Sequence, residues 1–172
     1  MTPHLTSERL LLRPYMEGDL ESSVVLFTDP EVMRFVGDGV MSWPRATELF
    51  RRVFGIYERG EFDIWAVCGR DDGRYIGSVE LKPRLGAEDF EIVYILGKTH
   101  WGRGYATEVA GLVVGYGFEG LHLDRVAATV DPDNTASIHV LEKLGFRLLG
   151  EEVDETGAVL VYVVDNPVRA GL

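Results

Sequence analysis

A chain of 172 residues is the size of one domain with one core, and at that length about 70% of the unfolded chain's surface can be buried. Its formal net charge of −11 disfavours nonspecific binding to nucleic acid or to an anionic membrane and would draw in a cationic partner, while also serving plain solubility. No apolar run approaches the roughly 20 residues that cross a bilayer, and the N-terminus lacks the basic-then-apolar pattern of a secretion signal, so the expectation is a soluble cytoplasmic protein forming one unit over 1–172.

The single cysteine, Cys68, excludes an internal disulfide. Within Ile64-Trp65-Ala66-Val67-Cys68 it reads as a small buried side chain rather than a nucleophile. The four histidines, at 4, 100, 122 and 139, have no ligand spacing, so no metal site is expected.

In chain order the pattern predicts a strand at about 8–14, helices at 17–35 and 44–59, and strands at 62–69, 74–83 and 89–97. A helix at 104–119, a strand at 124–130, a helix at 134–144 and strands at 146–153 and 158–164 follow. Pro44 suits the first turn of its helix. Asp71-Asp72-Gly73 and Asp154-Glu155-Thr156-Gly157 are hairpin signals. No repeat or low-complexity linker divides the chain. The order, antiparallel hairpin strands and then strand-helix-strand-helix-strand, predicts an α+β fold with a mixed sheet. It excludes a doubly wound nucleotide fold, whose glycine fingerprint would come first rather than mid-chain.

That glycine run is His100-Trp101-Gly102-Arg103-Gly104-Tyr105-Ala106-Thr107-Glu108, between a strand and a helix start. Glycines at 102 and 104 let the backbone approach a phosphate, and the first unpaired N–H groups and dipole of the helix favour an anion there. Strand-to-helix turns also use glycine for bare geometry, so the run alone decides nothing. Lys98, His100 and Arg103 make the loop locally cationic against an acidic background.

Trp101-Gly102-Arg103-Gly104-Tyr105-Ala106 resembles the acyl-CoA-binding motif of the GNAT superfamily of N-acetyltransferases, with Trp101 where the general pattern has Gln or Arg. That departure is typical of the RimJ/RimL-type branch of ribosomal-protein N-terminal acetyltransferases. Ser7-Glu8-Arg9-Leu10-Leu11-Leu12-Arg13-Pro14, Asp29-Pro30-Glu31-Val32-Met33-Arg34-Phe35, Asp131-Pro132-Asp133-Asn134-Thr135-Ala136-Ser137 and Leu141-Glu142-Lys143-Leu144-Gly145-Phe146 look like further hallmarks of it, in order. The resemblance implies a mostly antiparallel mixed sheet of about seven strands with about four helices. It also implies that the strand ending in Ile95-Leu96 splays from the one starting near Arg125, leaving backbone groups to pair with the pantetheine arm of acetyl-CoA. Backbone amides of Gly102 to Ala106 would then hold the pyrophosphate, with Arg103 either a screening charge or a solvated loop residue.

Acetyl transfer to an amine needs a neutral amine and a proton for the departing thiolate. Glu91 is the first candidate base, because Phe90-Glu91-Ile92-Val93-Tyr94 resembles the strand that carries the catalytic glutamate of histone-acetylating members, and alternation makes it a lone carboxylate on an apolar face shared with Val93 and Ile95. A salt-bridged surface glutamate is the plain alternative, and Glu80 on the adjacent strand is the runner-up base. The superfamily's usual tyrosine proton donor falls at Leu141. Ser137, one turn earlier on the same face, takes its place in the RimJ/RimL-type branch, although a serine in a first helical turn also serves local hydrogen bonding. Asn134 suits an N-cap, and the family reading has it bonding the pantetheine arm as well. His139 falls on roughly the opposite helix face. Trp43, Trp65 and Tyr105 read as packing residues, with Trp43 placed to border an acceptor pocket.

The sum is an acetyl-CoA-dependent N-acetyltransferase acting by direct attack, with the primary amine of a small molecule or of a protein N-terminus as acceptor. Exposed strand edges leave a homodimer open. A catalytically silent acyl-CoA-binding sensor is the alternative, consistent with Leu141.

Overall fold

The structure, a computed structural model, describes residues 1–154 and 157–169. One eight-stranded sheet is ordered β1-β2-β3-β4-β5-β6-β8-β7, with β1 Leu5–Thr6, β2 Leu10–Arg13, β3 Asp63–Gly69, β4 Tyr75–Pro83, β5 Phe90–Leu96, β6 Arg125–Val130, β7 Arg147–Asp154 and β8 Gly157–Asp165. Neighbours are antiparallel except β5 and β6, which run parallel. Strand β1 is the addition to the sequence reading, since two residues are too few to show alternation. The second hairpin signal includes Glu155 and Thr156, which lie outside the described residues.

Four helices, α1 Leu20–Thr28, α2 Trp43–Arg59, α3 Tyr105–Glu119 and α4 Thr135–Lys143, cover the sheet's two faces. Strand alternation sorts the core. Trp65 and Val67 of β3 pack with Val109 and Val113 of α3, while Ile64, Ala66 and Cys68 turn to Phe50 and Val53 of α2. Helix α2 starts where Ser42 accepts from the Arg45 N–H at 3.4 Å, with Pro44 in its first turn, and stops at Gly60 with φ 62°.

The continuous helix expected over 17–35 is broken. Asp29 precedes Pro30, which disfavours helical backbone before it, and Asp29 is extended at ψ 116°. Its carboxylate instead accepts from the N–H groups of Glu31, at 2.8 Å, and Val32, at 3.3 Å. A tight 3-10 turn, Val32–Phe35, follows.

One buried ion pair fixes the path from β2 into α1. Arg13 donates to both carboxylate oxygens of Asp19, at 2.7 and 2.8 Å, and the Met16 N–H adds a bond of 2.8 Å to the same group. Burial alone would raise the Asp19 pKa, but these bonds outweigh it and hold the carboxyl below its ordinary value.

The feature that makes a site is the gap between β5 and β6. They pair only at Phe90 with Val126 and at Glu91 with Ala127, after which β5 runs on to Leu96 alongside β4 alone. Strand β6 meanwhile stays paired with β8 along its whole length. One backbone edge of β5, from Ile92 onward, therefore faces an opening instead of a neighbour.

Candidate active site

The floor of the opening is the turn from β5 into α3. Gly102 and Gly104 sit at φ 70° and 77°, backbone that a side chain would strain, and Gly104 begins α3 with its carbonyl accepting from the Glu108 N–H at 3.1 Å. Among the described residues no side chain caps this helix start, so the first-turn N–H groups are available to a ligand. Trp101 has a clear local role. Its indole N–H donates to the Leu96 carbonyl at 2.8 Å, fastening the turn to the end of β5 while the residue stays 48% exposed.

One wall is α4. The Asn134 carboxamide oxygen accepts from the Ser137 N–H at 3.2 Å, closing the cap expected from sequence, and Ser137 lies half-buried on the cleft. Facing it from β5 is Tyr94, whose phenol oxygen is 2.7 Å from the Ser137 hydroxyl. Burial raises the Tyr94 pKa and the Ser137 bond only partly offsets this, so the phenol is protonated throughout the neutral range. Leu141 does not line the cleft. It is 1% exposed within the core beside Val109 and Phe146.

The opposite wall is the 3-10 turn after Pro30, with Glu31, Val32, Arg34, Phe35 and Val36. The cleft enclosed is about 700 Å³, within the range of about 300–1,000 Å³ typical of small-molecule sites. The structure thus brings together Ile95, Leu96, Trp101, Gly102, Gly104, Tyr105, Ala106, Asn134 and Ser137.

Four expected residues stand apart from it. The Arg103 side chain is exposed and does not line the cleft. Glu91 sits at the vertex of the splay, where β5 and β6 still pair, and accepts from the Thr129 hydroxyl across it at 3.4 Å. Burial raises its pKa against the opposing pull of Lys82. Glu80 has the Lys82 ammonium at 3.4 Å. Trp43 is exposed at the start of α2 and borders no part of the cleft.

The cationic character read from Lys98, His100 and Arg103 is smaller in three dimensions. Lys98 is ion-paired with Glu31 across the turn. Burial, then the nearby Arg103 charge, pushes the His100 imidazole below its usual pKa and toward the neutral form.

Tyr94 and the wall after Pro30 are what sequence reasoning missed. Alternation places Tyr94 on the face opposite Glu91, but its partner is 43 residues away, and no local pattern carries such a contact.

The model of the acetyltransferase (GNAT) domain matches residues 9–147. An uncharacterized N-acetyltransferase of Bacillus subtilis, YoaA, is 33% identical over 156 residues, which cover 87% of this chain and 86% of that protein. The spermidine N(1)-acetyltransferase of Escherichia coli (strain K12) is 28% identical over 145 residues, 84% of this chain and 76% of its own. Among solved structures, an acetyltransferase (GNAT family) from Bacillus anthracis has a TM-score of 0.84 over 95% of this chain and 99% of that chain, at 24% identity, a likeness of fold. The glycine turn, the parted strands and the capped start of α4 all fall inside the matched span, and the chain belongs to the GNAT acetyltransferase family.

Proposed function

We propose that the cleft binds acetyl-CoA with its diphosphate on the start of α3 and its pantetheine arm in the gap beside β5, and that an amine attacks the thioester there directly. The observation that carries this reading is the parting of β5 from β6 beside an uncapped glycine-turn helix start. Acetyl-CoA supplies the activated acyl group, and the protein's part is to hold it and to move two protons.

Ser137 is the proton donor to the departing sulfur. Its hydroxyl gives one proton to the thiolate, while the amine nitrogen loses one, so the protons balance over the reaction. The phenol of Tyr94 lies 2.7 Å from the Ser137 oxygen; in this reading it is the donor of the pair, which aims the serine O–H into the cleft and stabilises negative charge on that oxygen as its proton leaves. This pairing answers the absence of a phenol at position 141. Asn134 fixes the serine from behind through the cap.

Glu91 is the base, acting through a water relay because its carboxylate is at the vertex and not on the cleft wall. Its raised pKa improves it as a proton acceptor. Glu80, drawn to Lys82, is the second choice.

The acceptor in this reading is the primary amine of a small molecule or a protein N-terminus, and the acidic balance of the chain favours a cationic one. Likeness to a spermidine acetyltransferase supports the first class, and the ordered RimJ/RimL-type motifs support the second. The chain works as one catalytic unit in the cytoplasm. A silent acyl-CoA sensor is the rival, favoured by the burial of Leu141 in the core. Amine-dependent release of CoA from acetyl-CoA separates the two.

A further inference from the structure

We propose that Arg9, from the loop that leads into β2, is a positioning residue for the phosphate-binding turn. It holds Gly102–Gly104 in shape and neutralises Glu108, so that affinity for a diphosphate-bearing donor depends on it and the transfer step does not. This rests on the reading of the cleft as an acyl-CoA site.

One side chain grips the turn and the helix start together. The Arg9 guanidinium donates from Nη1 to the Arg103 carbonyl at 2.9 Å and from Nε to Glu108 Oε2 at 2.7 Å, with Nη2 at 2.5 Å from the same oxygen. Its Cζ lies over the Tyr105 ring, 4.6 Å from the ring centre. Glu108 is held from its other oxygen by the Ser7 hydroxyl at 2.6 Å and the Arg9 N–H at 3.1 Å. A Cβ built on Gly104 would lie 3.5 Å from Arg9 Nη2, so the guanidinium adjoins the turn itself.

Two physical consequences follow. Two glycines in left-handed backbone have wide freedom when nothing holds them, and a turn fixed before binding spares the ligand that ordering cost. Glu108 lies in the first turn of α3, where its charge suits the helix dipole but repels a diphosphate bound at the same end. Burial would raise its pKa, but the Ser7 and Arg9 bonds outweigh it and keep the carboxylate charged. Arg9 offsets that charge. With the Arg9 side chain 44% exposed, water screens the pair and its contribution to stability is small, which leaves the shape and charge of the turn as its main work.

The test compares donors with and without the diphosphate. Arg9→Ala, checked for folding by circular dichroism, is expected to weaken CoA binding by at least roughly tenfold in calorimetry. It should raise KM for acetyl-CoA in step and leave kcat/KM for acetyl-pantetheine within about twofold of wild type. Arg9→Lys, which keeps charge but loses the fork, should fall between. Arg9→Ala combined with Glu108→Gln should recover part of the lost affinity. Wild-type CoA affinity in Arg9→Ala, equal losses with both donors, or no recovery in the double variant would overturn the proposal. A wild-type protein that fails to bind CoA in the same calorimeter overturns the cleft reading itself, before any variant is compared.

Discussion

The phenol of Tyr94 on β5 and the hydroxyl of Ser137 on α4 meet at 2.7 Å on the wall of the cleft that opens where β5 leaves β6. In the proposed mechanism the pair gives a serine, a weak acid alone, an oriented proton and a partner for the charge it leaves behind. Ser137→Ala should lower kcat by about 100-fold with CoA affinity retained, and Tyr94→Phe by about tenfold. The double variant should be no worse than Ser137→Ala alone, because the two act in series. A thioester with a more acidic leaving thiol should shrink all three losses. Additive losses, or losses indifferent to the leaving group, would return the pair to a packing role.

Gly104→Val tests the cradle. A non-glycine residue in left-handed backbone costs about 1–2 kcal/mol of stability, and φ at Gly104 is 77°. The loss of CoA binding should far exceed that, since the branched side chain blocks the approach of the diphosphate to the turn. Calorimetry with CoA and a thermal melt on the same sample give both quantities, and retained affinity would remove the cradle from the account.

Asp19→Asn probes the buried pair that ties β2 to α1. Leaving Arg13 without its charged partner should cost about 3 kcal/mol, read by urea denaturation at neutral pH. The Asp19 pKa is lowered in the folded protein. Its contribution is therefore fully present above the ordinary aspartate value of about 3.9 and is lost as pH falls through the lower folded value. The gap between variant and wild type should narrow in that acid window, whereas a pH-independent gap would make the effect one of packing.

The sequence shows the glycine turn, the Asn134 cap and the strand-helix order because each is written in a few adjacent residues with its own backbone consequence. Ser137 is a candidate from its spacing to Leu141 and from the family resemblance, and it lies on the cleft. The break at Asp29-Pro30 is also local, yet the helical periodicity on either side masks it, and the wall it builds went unread. The place of Tyr94 on the cleft and the proposed role of Arg9 were not legible. Each acts through partners from 43 to 99 residues away, and such contacts are fixed by sheet order and not by spacing. The loop's positive charge was overread, because the pairing of Lys98 with Glu31 likewise exists only in three dimensions.

As the proposed base, Glu91 would meet different demands from different acceptors. An alkylamine with a pKa near ~10.4 costs about 4 to 5 kcal/mol to neutralise at pH 7, while an α-amine near ~8 costs only about 1.4. Glu91→Gln should therefore cut turnover strongly with a polyamine at neutral pH and recover as pH rises, and should do little with a peptide N-terminus. A flat, wild-type-like profile with the polyamine would shift the base to Glu80.

The most direct measurement is CoA release from acetyl-CoA by the wild-type protein against a panel of polyamines, aminoglycosides, amino acids and peptide N-termini, with mass spectrometry of the products. An N-acetyltransferase built on this cleft releases CoA only when an acceptor is present, in equal amount with an amine that has gained one acetyl group. Tight CoA binding without amine-dependent release for any class would contradict that account and leave a cleft that binds the donor without using it.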